Sequence, residues 1–384
     1  MRPRVTTILA SDEPGLSDAP YFGPNWYASV MGTGIVANAG VLLPFDVAGL
    51  RGFCEVVWIA AATLLVALIV SSVTHWIRSP HVARTYGRDV QMAQFYGAPP
   101  MALLTVGSGA LLVAHSLLGL RLAVDLDWVL WTVGTVTGLV SALVIPFRLF
   151  TAIEVRPDAA FGGWLMPVVP PMVSAAAGAL LIPHVASPVG RATLLYACYA
   201  LFGMSLIAAL IIITLIWSRL AHYGSSQGGR VPTLWIVLGP LGTSITAVGT
   251  LGAQAHLAVA PALATGMGIF AILYGVPVWG FALLWGSIAL ALTVRTLRQK
   301  LPFSLTWWSF TFPVGVMVTG TIRLAVQTGL PAFRFASGAA YVALLSAWIV
   351  VALRTSHSAQ RGHLFRPPPP GAAIARKDPK PSPS

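Results

Sequence analysis

Ten apolar stretches, each long enough to cross about 30 Å of hydrocarbon as a helix, follow one another along this chain. They lie near residues 24–43, 53–77, 97–119, 128–150, 164–183, 190–217, 232–254, 267–294, 305–328 and 335–353. Only 9% of residues are charged and 56% are hydrophobic, against about 25% charge in a soluble domain. Water does not solvate so apolar a surface, so lipid must. The expected fold is an all-α integral membrane protein with ten transmembrane helices. The expected divisions are a cytoplasmic segment at 1–23, a transport domain at 24–354 and a disordered, basic, Pro-rich cytoplasmic tail at 355–384. Residues 1–23 mix Arg2 and Arg4 with Asp12, Glu13 and Asp18 and have no long apolar core, so a cleavable signal peptide is not expected.

The net charge of +12 raises the possibility of nucleic acid, but the basic residues sit between the apolar runs and in the tail. That is orientation charge. The two ends and the loops after spans two, four, six and eight carry 18 of the 23 Lys and Arg, which predicts a cell-membrane protein with both termini cytoplasmic. Eight tryptophans, among them Trp76, Trp217 and Trp308, fall near span ends, where indole favours the interface.

The odd spans begin near 24, 97, 164, 232 and 305, at steps of 73, 67, 68 and 73 residues, a weak repeat of five helical hairpins. Odd spans hold 24 Gly plus Pro and even spans 11. Proline frees a backbone carbonyl and bends a helix, which lipid tolerates only where protein or a watery cavity surrounds the backbone. The odd helices therefore belong inside, as a five-membered pore ring. Axes about 8–10 Å apart and a helix radius of about 5 Å leave a lumen of roughly 2–3.5 Å, suited to a small ion.

The chemistry-bearing residues are sparse. All eleven acidic residues fall in tails, loops or span ends, so no mid-membrane carboxylate is expected to bind a cation or relay protons. There is no HExxH, Walker A or GxSxG motif, the histidines are scattered, and two isolated cysteines, Cys54 and Cys198, cannot build a metal site alone. Neither an enzyme nor a resident cofactor or metal is expected.

Several residues carry two readings. Gly32 and Gly34, in the segment Tyr21–Gly40, fit either close helix packing or a pore wall. Phe312 precedes Pro313, which removes the bond to the Ser309 carbonyl; the ring either packs or projects into the lumen and closes it. Arg323, the one cation well inside a span, either snorkels or supplies positive potential at the outer mouth. Gly34, Pro100, Pro170, Pro240 and Pro313, one from each odd span, are the candidate pore wall.

GPNWYASVMGTGIV, WLMPVVPPMVSAAAG, GPLGTSITAVGTLG and WWSFTFPVGV occur in that order, and together the chain resembles the tellurite-resistance/dicarboxylate transporter family over residues 21–354. That family takes in the bacterial tellurite-resistance permease, the fungal malate permease, the yeast sulfite efflux pump and the plant guard-cell slow anion channel. The resemblance implies ten helices around a central pore, a homotrimer with one pore per protomer, a small-anion substrate such as malate or sulfite, and a gate at Phe312. It leaves open a passive channel, a proton-coupled dicarboxylate carrier and a tellurite-resistance-type permease. A membrane-embedded enzyme and a structural subunit are the readings outside transport.

Overall fold

In hydrocarbon every backbone amide must find its partner within the protein, so a chain this apolar folds into helices. The computed structural model describes residues 22–87, 89–152, 155–224, 228–298, 301–362 and residue 364, and is all-helical, with no strand among them. Nearly all of 1–23 and the tail from 365 lie outside the described residues.

Among the described residues, ten helices of twelve residues or more alternate short and long. The short ones are α1 (Tyr27–Val41), α3 (Ala98–Leu112), α5 (Pro170–Leu181), α7 (Leu238–Gln254) and α9 (Phe312–Thr328). The long ones are α2 (Leu50–Arg78), α4 (Leu120–Thr151), α6 (Pro188–Tyr223), α8 (Pro261–Leu297) and α10 (Pro331–Gln360). Eight elements are long and apolar enough to cross a membrane, three of them counted with the tight turn that precedes the α-helix. The chain is a multi-pass membrane protein. The other two expected spans appear as α1 and α5, whose α-helical parts, of 15 and 12 residues, rise about 22 and 18 Å and fall short of a bilayer core.

Burial separates the two sets. Between 17% and 28% of the most apolar window is buried in α2, α4, α6, α8 and α10, against 67–89% in the elements ending in α3, α7 and α9. In α1, thirteen of fifteen residues are buried, and in α5 ten of twelve. The long helices expose Val66, Val70, Leu143, Phe147, Ile211 and Leu273, a surface that only lipid solvates well. Each short helix packs on the long helix that follows it. The short helices also touch one another in the order α1, α3, α5, α7, α9 and back to α1.

Each short helix begins after a 3-10 segment: Pro24–Trp26, Met92–Gly97, Gly162–Leu165, Gly228–Val237 and Leu305–Phe310. Here the structure departs from the expectation of mid-helix kinks. Pro100, Pro170, Pro240 and Pro313 sit in the first turn of their α-helices, where a missing N–H costs nothing. Carbonyls left over at these junctions are taken up from the long helices: Ser205 of α6 donates to Val168 O at 2.6 Å, and Trp285 of α8 to Leu234 O at 2.9 Å.

The tryptophans also serve this purpose. Trp58 donates to Val106 O at 3.0 Å, Trp131 to Ser174 O at 2.8 Å, Trp279 to Thr321 Oγ1 at 2.9 Å and Trp348 to Thr33 Oγ1 at 3.2 Å, each tying a long helix to a short one. Trp76 and Trp217 are instead 46% exposed at the outer surface of α2 and α6.

Two boundaries move. α10 runs to Gln360, six residues into the segment expected to lack structure, because the proline run that stops a helix begins only at Pro367. α4 begins at Leu120 rather than near 128, and so takes in Asp127. That carboxylate is fully buried beneath Gly107, with neither oxygen partnered, so one acidic residue is more deeply enclosed than its position near a span end suggested.

Candidate functional site

The starts of the short helices meet at a small cavity of ≈ 30 Å³. That is about the share of volume one water molecule has in the liquid. Met31 of α1, Met101 of α3, Val169 before α5, Gly239 of α7 and Phe312 of α9 all line it. These positions are spaced 70, 68, 70 and 73 residues apart, so the repeat in the sequence converges in space on one layer. Phe95, from the 3-10 segment before α3, and Met166, in the turn after Gly162–Leu165, add to the wall beside Trp308. The lining is apolar apart from Ser309 and the indole of Trp308, whose N–H is engaged with Thr355 Oγ1 at 3.1 Å.

Phe312 is the first residue of α9 and only 5% exposed. Its ring lies in this layer with Pro313 and Pro240 alongside. An apolar lining of this kind gives an ion almost no polar partner in exchange for its water. Thioether and phenyl groups also deform by rotamer changes alone, so the constriction can widen without breaking a hydrogen bond.

The other expected wall residues lie elsewhere. A Cβ on Gly34 would meet Thr105 Cγ2 of α3 at 2.8 Å and Ala61 Cβ of α2 at 3.7 Å, so Gly34 serves helix packing and does not line this cavity. The rings of Pro100 and Pro170 both lie against Gly138 of α4, with Cβ atoms 3.6 and 2.8 Å from the position a Cβ would take there. They face the long helix, so of the five candidate wall residues only Pro240 and Pro313 are at the cavity. Met31, Met101, Phe95, Met166 and Val169 escaped notice in the sequence. The available signal was the repeat of span starts: Phe312 lies seven residues beyond 305, and the same offset from 24 gives Met31 but from 97 gives Leu104.

Away from the constriction, α7 and α9 carry a polar strip. Thr246 Oγ1 and Thr319 Oγ1 are 2.8 Å apart. Arg323 lies one turn beyond Thr319, its aliphatic stem over Gly249 of α7, where a Cβ would come within 2.9 Å of Arg323 Cβ. Gln327, a further turn along, donates to Gly249 O at 3.3 Å. No group of three or more metal-ligating side chains occurs among the described residues.

The matches to known proteins span nearly the whole chain. Residues 21–356 match the family described as voltage-dependent anion channel. A sulfite efflux pump of Trichophyton rubrum is 25% identical over 351 residues, 90% of this chain and 92% of the relative. An uncharacterized transporter of Methanocaldococcus jannaschii is 24% identical over 346 residues, 90% of this chain and 97% of the relative. A sulfite efflux pump of Candida albicans is 23% identical, across 77% of this chain and 64% of the relative. With eight elements long and apolar enough to cross a membrane and a family match over nearly its whole length, this chain belongs to the voltage-dependent anion channel family, whose members are membrane transporters and channels.

Proposed function

We propose that this chain conducts a small oxyanion, sulfite first among the candidates, through a pore enclosed by α1, α3, α5, α7 and α9 and closed at Phe312. The observation that carries this reading is the ≈ 30 Å³ apolar cavity, to which elements from all five short helices contribute. In this account all ten helices belong to the membrane domain as five hairpins. The 3-10 segments supply the missing length of α1 and α5. The short helices form the inner ring, three protomers assemble with one pore each, and both termini are cytoplasmic. Two features support anions over cations: no acidic residue lies on any of the five short helices, and several relatives are named sulfite efflux pumps. C4-dicarboxylates such as malate are the comparison substrates for the test.

The mechanism is steric and dielectric. With the Phe312 ring in place, an ion entering the constriction would shed its water and gain no polar partner, a barrier far above thermal energy. Rotation of the ring, with yielding of Met31 and Met101, opens a wetted path. Protein reconstituted into liposomes and assayed for sulfite and malate flux tests the reading. Saturable or channel-like passage of either anion in wild type supports it, and absence of anion passage in both wild type and Phe312→Ala contradicts it.

A further inference from the structure

The polar strip beyond the constriction has features of a built site. Phe312, Thr319 and Arg323 are seven and eleven residues apart, so at 100° per residue their side chains leave α9 within about 20° of one direction. Gly239, at the cavity, and Thr246 hold the same relation on α7. The contact between the two threonine hydroxyls shows that these two faces meet. Arg323 is the one charged residue on the five short helices. It is partly exposed, and its guanidinium makes no hydrogen bond or ion pair with any described residue. A charge that costly to keep inside a membrane protein calls for a counter-charge. Gln327, one turn further, donates one amide N–H to Gly249 O and has a second to offer, whereas its unpartnered buried oxygen is an acceptor and offers an anion nothing.

Gly249 adds an independent sign of fit. Any side chain there would collide with the Arg323 stem, so α7 is notched where the arginine crosses it. The notch holds the aliphatic part and leaves the planar fork free.

From this we propose that Arg323, with the hydroxyls of Thr246 and Thr319 below it and Gln327 above, is a binding site for one small, singly charged oxyanion, about three helical turns from the Phe312 constriction. The proposal rests on the transport reading only for its physiological meaning; the site itself is a claim about binding. The guanidinium offers two parallel N–H groups to two oxygens of the anion. A rotated threonine hydroxyl reaches a third oxygen, giving up its bond to a backbone carbonyl of its own helix. The site supplies a single positive charge and neutral donors, which matches a monoanion; a dianion would bring a second charge with no partner. Such a site concentrates monoanions next to the closed constriction and ranks them by charge.

The test is binding, measured apart from flux. Purified protein is titrated with nitrate, and with sulfate as the divalent probe, while its thermal unfolding is followed. Wild type is expected to be stabilised saturably by nitrate and much less by sulfate. Arg323→Gln should raise the half-saturating nitrate concentration by roughly tenfold or more, the loss of about 1.4 kcal/mol or more expected for a charge-assisted pair. Arg323→Lys should recover part of it, and Thr319→Val, which keeps the charge and nearly the shape, should weaken binding several-fold. If Arg323→Gln is too unstable to purify, the Arg323→Lys and Thr319→Val titrations carry the test alone. Absence of saturable nitrate binding in wild type, or unchanged binding in the variants, overturns the proposal. Intact nitrate binding by a wild type that passes no anion would instead sink the transport reading and leave the site standing.

Discussion

Phe312 and its neighbours at the constriction differ in what they contribute. The phenyl ring is stiff and bulky, whereas Met31 and Met101 are flexible thioethers with more rotamers to yield. Phe312→Ala is therefore expected to raise anion flux by roughly tenfold or more, a barrier lowered by about 1.4 kcal/mol or more. Met31→Ala and Met101→Ala should each raise it less in the same liposome assay. The sequence made Phe312 visible through Pro313 and through the motif that carries it. It hid the methionines, because a methionine in an apolar helix looks the same facing a lumen, a neighbour or lipid. Nor did it tell that Pro100 and Pro170 lie away from this cavity, against α4. A proline's effect on the backbone is local and readable, but the direction of its ring depends on the rotation of the whole helix, which only packing sets.

At the scale of elements, glycines fix how closely the short helices approach. Gly32 of α1 lies against Thr311 and Trp308, and Gly315 of α9 lies against Ile35, so two of the sequence motifs are the two halves of one contact. Gly97 and Gly162 are tighter still, each lying against a backbone carbonyl, of Met166 and Thr233 respectively. A backbone cannot step aside as a side chain can, so Gly97→Ala and Gly162→Ala should each destabilise the protein by about 1–3 kcal/mol. A lowered melting temperature in detergent checks this. Trp285→Phe probes the other device, the indole that satisfies the Leu234 carbonyl, and should cost about 1 kcal/mol in the same assay. The alternation of inner and outer helices was legible in the sequence because glycine and proline content records backbone exposure. The 3-10 segments were not, since their apolar residues carry on the hydrophobic run without a break.

For the whole molecule, the excess of Lys and Arg in alternate loops sets a testable orientation. Both native cysteines are buried, so single added cysteines can report sidedness. Ser356→Cys, near the end of α10, is expected to react with an impermeant thiol reagent only from the cytoplasmic side. Val189→Cys, at the start of α6 and 77% exposed, is expected to react only from the opposite side. Labelling of both from one side would contradict the five crossings, α6 to α10, that separate the two positions in the proposed orientation. Exposed valines, leucines and phenylalanines on the five long helices offer an outer surface to lipid, whereas the short helices are largely buried.

The most direct measurement of the central claim is current through single reconstituted proteins in planar bilayers under sulfite and chloride gradients, comparing wild type with Phe312→Ala. The account predicts anion-selective current that is small in wild type and rises by roughly tenfold or more when the ring is removed. Current that is unchanged by the substitution would show that the constriction at Phe312 does not limit the path.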